Sequence, residues 1–464
     1  MRKHRTISPP PEENPGPAGA HTSRRRASRP LLALGLALLA GLALSIRPPD
    51  AAAATLTFQV TSTTDAPDAS PGDGICADAA GQCTLRAAVQ EADAQPSGSA
   101  VTIVVPAGTF PLKLGVLSLT ANTITVQGAG AAATTVDGRN ASQVFNVSPA
   151  ASVTIGQLTI IHGNAARGGG IQNAGTLTLT NSTVAVSAAG NGGGIYNQEG
   201  GTLALAGATV SQNVAGRDGG GIANNGGTVQ LSLSTVSGNK ASQAGGGIVN
   251  FFGTVSMSQT TIAGNTASGK NSEGGGGIAN GDGTLTVDKT TISGNSTNSA
   301  TGASAIFNIL TTSVSNSTIS GNTSPRTSAS VLNSDTLTLS YVTIASNSAG
   351  IVNSGSVTAT GTIIADSTQG PNCFGNRFQE PSGFNLDSGT SCQLSQPTDL
   401  TGTDPLLAKL ASNGGPTQTQ ALQAASPAID HGGTSANGCP PTDQRGVTRP
   451  QGPACDIGAF EFVP

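Results

Sequence analysis

The stretch GGGIANNGGTVQLSLSTVSGN, residues 219–239, decides the fold, because versions of it recur through the middle of the chain. The asparagine that closes its first block recurs every 20 to 30 residues, at Asn173, Asn197, Asn224, Asn250, Asn280, Asn308, Asn333 and Asn353. The asparagine that closes its last block recurs with it, at Asn164, Asn213, Asn239, Asn265, Asn295, Asn322 and Asn347. Self-similarity at this period indicates a solenoid, in which each unit packs on its neighbours.

The apolar residues within one unit alternate at Val229, Leu231 and Leu233, and the phase then slips by one residue to Val236. Alternation is typical of a strand, and a phase slip indicates a corner between two strands. The GGGI segment adds a third strand, and Gly and Asn occupy the corners, where they tolerate a positive φ. We therefore predict an all-β fold, a right-handed parallel β-helix with three short strands per coil, whose hand follows from the crossover rule.

The asparagine rows have two interpretations. At equivalent corners about 4.8 Å apart, each amide can bond the amide of the next coil, which predicts a buried structural ladder. The alternative is a row of amides on the outer face that bind sugars. The ladder is favoured, because a buried unpaired amide costs ~1–3 kcal/mol.

Residues 1–54 are typical of an export signal. The basic run at 24–26 precedes Leu31–Ile46, sixteen residues without a charge, and 51–54 offer small residues for cleavage. That apolar run is short for a membrane-spanning helix of about 20 residues. We predict a cleaved signal peptide with a long basic n-region, in preference to an uncleaved anchor, and a secreted or extracellular protein.

The net charge of the chain limits the classes of molecule that it is expected to bind. The chain has 21 basic and 25 acidic residues, of which residues 1–54 hold 8 and 3, so 13 and 22 remain and the net charge is −9. A dilute acidic surface without a basic stripe argues against nucleic acid as a partner. No membrane span is expected in the mature chain.

Six cysteines lie outside the repeat as three close pairs. An even number in an exported chain predicts disulfides, here Cys76–Cys83, Cys373–Cys392 and Cys439–Cys455. Zinc is the alternative. No C-x-x-C spacing exists, however, and only His162 and His431 remain after signal cleavage, so we predict no metal site.

Two modules flank the repeats of residues 141–366. In residues 55–140, a loop rich in Gly, Pro and Asp is followed by Thr84–Ala94, which predicts a capping helix with Thr84 as its N-cap. Residues 367–464 lose the repeat and gain Pro, Phe and Cys. We predict that they form a disulfide-bearing C-terminal cap, because the open end of a solenoid exposes unpaired strand groups.

Both modules resemble domains of known families. The run from Phe58 through DGIC (73–76) to CTLRAA (83–88) resembles the CSLREA-type domain at the head of many bacterial exported β-helix proteins. The GGGIxN and SGN repeats are similar to those of the same proteins and of polymorphic outer-membrane proteins. In the tail, NGG (413–415), SPAID (426–430), DQRG (443–446) and DIGAFE (456–461) resemble the choice-of-anchor Q domain. The resemblance implies an exported, often surface-associated protein, in families mostly without a demonstrated activity.

Acidic residues of the repeat are weak candidates for a site. Asp218 and Glu273 each precede a GGG block, but they are two coils apart, roughly 10 Å along the axis. A polysaccharide lyase needs acids around a metal and a base, and a glycosidase needs a close pair of carboxylates. We therefore predict no catalytic residue.

Phe251 and Phe252 are weak candidates for a sugar contact. They follow Asn250, at a position where most other repeats carry small or polar residues. Neighbouring strand residues point to opposite faces, so one of the two rings is expected to be exposed. Ordinary packing is the favoured alternative.

Four aspartates of the N-terminal loop are a weak candidate for calcium: Asp65, Asp68, Asp73 and Asp78. Their spacing matches no EF-hand, and acidic loops are commonly just solvated. We expect no cofactor.

The sequence as a whole predicts an exported, surface-associated β-helix with a non-catalytic role in adhesion or carbohydrate contact. Its partner would be an extracellular polysaccharide or a cell-surface molecule. The alternative is a carbohydrate-active enzyme, a polysaccharide lyase or glycoside hydrolase on a pectate-lyase-like fold.

We expect the mature protein to begin near Thr55, after the small residues at 51–54. N-terminal sequencing of exported protein measures this directly. Recovery of Leu31–Ile46 in a membrane fraction would show an uncleaved anchor instead.

Overall fold

A computed structural model describes residues 56–269, 274–325, 328–379 and 383–464. The predicted signal peptide, residues 1–54, lies outside these ranges, and so does Glu273. Among the described residues, no helix combines the length and the apolar character that crossing a bilayer requires.

The described residues form a right-handed parallel β-helix, as predicted, with four parallel sheets along its axis. Sheet 1 contains Leu56–Gln59, Ala100–Val105, Thr123–Gly128, Ser152–Gly156, Thr176–Thr180, Thr202–Ala206, Thr228–Ser232, Thr254–Ser258, Thr284–Asp288, Thr311–Ser315, Thr336–Ser340 and Ser356–Thr360. Sheet 2 contains Gly108–Pro111, Thr134–Asp137, Thr159–Ile161, Thr183–Ala185, Thr209–Ser211, Thr235–Ser237, Thr261–Ala263, Thr291–Ser293, Thr318–Ser320, Thr343–Ala345, Ile363–Ala365, Leu386–Asp387 and Leu400–Thr401.

Sheet 3 is shorter and was not predicted. It contains Asn164–Arg167, Ala188–Asn191, Val214–Ala215, Lys240–Ala241, Thr266–Ala267 and Ser296–Thr297. Sheet 4, which carries the GGGI segments, contains Leu117–Leu119, Phe145–Val147, Ile171–Asn173, Ile195–Asn197, Ile222–Asn225, Ile248–Phe251, Ile278–Asn280, Ala303–Asn308, Ala329–Asn333, Ile351–Asn353 and Cys373–Gly375. The last strands of sheets 2 and 4 extend the β-helix past residue 366, where the sequence predicts the end of the repeats.

The core is a set of apolar columns in which each residue lies on its equivalent in the next coil. Val229 pairs with Leu203 below it and Val255 above it, and all three are fully buried. Leu231 and Val236 point inward as predicted. Leu233 does not: its strand ends at Ser232, and it takes a φ of +50° at the corner with its side chain 57% exposed.

The triple glycine is required by the close approach of successive coils. Gly219 has a φ of +66°, which side chains disfavour. A Cβ on Gly220 would lie 2.3 Å from the carbonyl oxygen of Gly246 and 2.6 Å from that of Lys240. Any side chain at this corner would therefore push two coils apart.

The N-terminal end is covered by helix α1, Leu85–Ala94. Thr84 is its N-cap, as predicted, and its Oγ1 accepts a hydrogen bond from Ala87 N at 3.0 Å. The apolar face of α1, including Leu85 and Val89, continues the core of the first coils. The preceding loop is closed by the disulfide between Cys76 and Cys83.

The acidic loop before α1 is organised by hydrogen bonds within the protein. Asp65 pairs with Arg86 at 2.6 Å, and Asp78 accepts from Ala80 N and Gln82 N at 2.9 Å. Asp68 accepts from Ser70 N at 2.8 Å. Within the part of the chain that the structure describes, no three His, Cys, Asp or Glu side chains gather as metal ligands.

The C-terminal end is covered by the loop that the Cys373–Cys392 disulfide closes. Phe378 and Cys392 are buried against the last apolar columns. Gln379 pairs with the final strand of sheet 1, since its N–H donates to Val357 O at 2.7 Å and its carbonyl accepts from Ala359 N at 3.0 Å. This loop is one part of residues 367–464, the whole of which was predicted to form the disulfide-bearing cap.

The remainder of the C-terminal module, residues 404–464, lies along the side of the β-helix on the outer face of sheet 2. Thr318 Oγ1 donates to Gln444 Oε1 at 2.6 Å, and Ala459 N donates to Thr343 Oγ1 at 3.0 Å. Phe460 packs against Ile363 of the same sheet. We call residues 404–464 the side strap; it contains a short 3₁₀ helix, Ser435–Asn437, and the Cys439–Cys455 disulfide.

Buried charges hold the side strap together. Arg445 Nε donates to Asp443 Oδ2 at 2.8 Å, and the Arg449 guanidinium lies 3.6 Å from Glu461. Asp456 accepts hydrogen bonds from two backbone N–H groups of the strap. Burial nevertheless raises the pKa of Asp456 to about 6.

We expect the side strap to make stability depend on pH. The folded pKa of Asp456, about 6, lies above its ordinary value of 3.8, so its contribution to the free energy of unfolding is full below the lower value and is lost as pH rises through the higher one. Relative to Asp456→Asn, the wild type should lose ~2–3 kcal/mol between about pH 4 and pH 7. Denaturant unfolding across this range measures the difference. The exposed variant Asp335→Asn should follow the wild type, and a pH-independent difference for Asp456→Asn would contradict the account.

Candidate functional site

The first asparagine row runs inside the corner between sheets 4 and 1. From Asn173 to Asn333, each Nδ2 donates to the Oδ1 of the next asparagine in the row at 2.7 to 3.0 Å, and Asn353 is the last acceptor. The same nitrogen also donates to a main-chain carbonyl of the corner, as Asn224 does to Gly227 O at 2.8 Å. These amides are at most 2% exposed, so they are not presented on the outer face.

The second row lies at the corner between sheets 2 and 3. Asn239 Oδ1 accepts from both the N–H and the Nδ2 of Asn213 at 3.0 Å. The same pair of hydrogen bonds, from the N–H and the Nδ2 of one asparagine to the Oδ1 of the next, repeats up to Asn347. Asn164 differs, because its side chain is exposed and donates to Asn140 O at 3.1 Å.

We expect Asn265→Ala to lower the free energy of unfolding by roughly 2–5 kcal/mol, because Asn239 would lose both donor contacts and Asn295 would lose a partner. Chemical denaturation measures the change. Lys240→Ala removes an exposed side chain of the same wall and should have little effect. Equal stability of both variants and the wild type would show that the amides are not structural.

A small pocket on the outer face of sheet 4 brings together two of the residues proposed from sequence. It has a volume of about 70 Å³ and is lined by Asn191, Tyr196, Asp218, Asn225, Val249 and Phe251. Asp218 is placed by the loop before Gly219, where its backbone oxygen accepts from Gly192 N at 2.9 Å. The pocket therefore joins a carboxylate, two amides and two aromatic rings.

Asp218 is partly removed from water. One carboxylate oxygen accepts from Ala244 N at 3.1 Å. Burial raises the pKa of Asp218, although this hydrogen bond and the nearby Arg217 act in the opposite direction. Glu273, the other acidic residue singled out from the sequence, lies outside the described residues.

The two phenylalanines separate as alternation predicts. Phe251 is half-buried in the pocket and packs against Gly281, where a Cβ would meet its ring at 2.6 Å. Phe252 turns outward at the corner with a φ of +58° and is 70% exposed. Its ring is thus an accessible apolar surface at the residue that follows Phe251 of the pocket.

An outward-facing apolar column behind this pocket was missed in the sequence. The middle residue of each IxN strand points away from the core, yet Tyr196, Ala223, Val249, Ala279 and Phe307 are all buried. Loops before the GGG blocks fold over them, as Ala244 does. The sequence could have revealed this column, because the middle residue of these strands is apolar. Arg167 lies 5.3 Å from the Tyr196 ring centre at the edge of the column.

No protein-family model matches the sequence, and no curated protein matches it. The structure is similar to a crystal structure of the pectate lyase Pel9A. The TM-score is 0.46 and the identity 14%, over 88% of this chain and 98% of that chain. A similarity of this degree says nothing about a ligand or a reaction. The resemblance of the two flanking modules to CSLREA-type and choice-of-anchor Q domains remains a prediction from the sequence.

Proposed function

We propose that the protein is an exported, surface-associated β-helix that contacts extracellular polysaccharide without cleaving it, through the corner that carries Phe252. The observation that carries the proposal is the exposed ring of Phe252, the residue that follows Phe251 of the pocket with Tyr196 and Asp218. An aromatic ring packs on the apolar face of a sugar, and a carboxylate or amide bonds its hydroxyl groups.

Other features support an extracellular setting. Three disulfides close loops in the described residues, and disulfides persist in oxidising compartments. The resemblance of the flanking modules to domains of exported surface proteins points the same way. A stiff solenoid also offers an extended wall, which suits a long polymer.

Catalysis is the second candidate, and Asp218 is the observation that favours it. A carboxyl whose pKa is raised by burial is suited to act as a general acid. A glycosidase would also need a second carboxylate about 5–10 Å away. The experiment that measures polysaccharide binding should therefore also test for products of polysaccharide cleavage.

We expect a glycan array to detect a polysaccharide ligand, and Phe252→Ala to weaken its binding about tenfold by removing the aromatic surface. Leu233→Ala is the matched control, because Leu233 is also an exposed corner residue with a positive φ. No new reducing ends and no unsaturated products should appear. Products that vanish in Asp218→Asn would establish an enzyme, and equal effects of the two apolar variants would remove Phe252 from the site.

A further inference from the structure

A second, larger groove lies at the N-terminal end, between α1 and the strand Leu117–Leu119. Its volume is about 430 Å³. Five residues of α1 line it at the spacing of one helical face: Arg86, Val89, Gln90, Asp93 and Ala94. Pro71, Val116 and the strand residues Leu117 and Ser118 complete the lining.

The two ends of the groove are fixed by side chains that bridge the helix to the strand. At one end, Arg86 donates to Val116 O at 3.0 Å and to Gly115 O at 2.6 Å. At the other end, Asp93 Oδ1 accepts from Thr120 N at 2.8 Å and Ala121 N at 3.3 Å. The groove is therefore held open at both ends by hydrogen bonds between side chains of α1 and the facing backbone.

The charges at the two ends are not equivalent. Arg86 is neutralised by Asp65, which it contacts through Nε at 2.6 Å and Nη2 at 3.2 Å. Among the described residues, no Lys, Arg or His forms an ion pair with Asp93. The groove thus presents one carboxylate without an ion pair next to the accessible apolar side chains of Val116 and Pro71.

We propose that this groove binds a small ligand carrying one ammonium group on an apolar body, with the ammonium against Asp93 and the body against Pro71 and Val116. A cation offsets the desolvation of a partly buried carboxylate, and the apolar sides accept a hydrocarbon stem. Burial raises the pKa of Asp93, which is the desolvation that a bound cation would relieve. The net charge of −9 outside residues 1–54 favours the approach of cations.

Two sources carry such an ammonium group: a lysine side chain of a peptide, on a hydrocarbon stem, and an amino sugar, on a ring of which only the C–H face is apolar. N-acetyl-lysine methylamide and glucosamine are therefore titrated separately into the full exported chain by calorimetry. N-acetyl-norleucine methylamide, which keeps the stem without the charge, is the matched ligand control. The site is distant in the fold from the Phe252 corner, so its test is independent of the proposed polysaccharide contact.

We expect at least one amine to bind with a Kd of roughly millimolar or below, and norleucine to bind about tenfold more weakly or not at all. Asp93→Asn should weaken amine binding about tenfold, since a hydrogen bond between charged groups is lost. Asp335→Asn, which changes an exposed carboxylate elsewhere, should leave it unchanged.

A third variant guards against a folding defect in Asp93→Asn. Ala94→Leu adds volume at an exposed position on the rim of the groove, keeps every charge, and should also weaken amine binding. Thermal unfolding checks that each variant is folded. The proposal is overturned if neither amine binds at about 10 mM, if norleucine binds as well as lysine, or if a folded Asp93→Asn binds like the wild type.

Discussion

The close contact between successive coils is the interaction on which the rest of this structure depends. Each coil is too small to bury its own apolar residues, so its strands, columns and corners are completed by the coils on either side. The contact is tightest at the triple glycine, where Gly220 faces the Gly246 carbonyl across a space that cannot admit a Cβ. The buried asparagines use the same short spacing to pass hydrogen bonds from coil to coil.

The outer surface follows from this constraint. Because inward positions are filled by apolar columns and corners by Gly and Asn, functional chemistry is left to outward positions and to loops between strands. The Phe252 corner and the groove of α1 are both of this kind. The side strap also lies on outward positions. It covers threonines on the outer face of sheet 2 with a segment that carries its own buried charges.

Periodicity in the sequence was sufficient for the β-helix, the positions of the columns and the N-cap at Thr84, because these follow from local pattern and spacing. It was insufficient at Leu233, where a corner with positive φ overrides the alternation. The sequence pattern also did not predict which residues distant in the chain pack together. Nothing in the spacing of Gln444 shows that it bonds Thr318, 126 residues earlier, and nothing in Asp218 or Phe251 alone shows that they share a pocket.

The asparagine rows also have a direction. In both rows the amide–amide bonds run one way, because each Nδ2 donates to the Oδ1 of the following coil toward the C-terminal end. If the solenoid broke between two coils, the two new end faces would therefore differ. One face would carry unpaired Nδ2 donors, and the other would carry unpaired Oδ1 acceptors. Such faces are complementary to each other but not to themselves. Fragments of this solenoid can rejoin only head to tail, in one polarity, as heterologous contacts do in a filament.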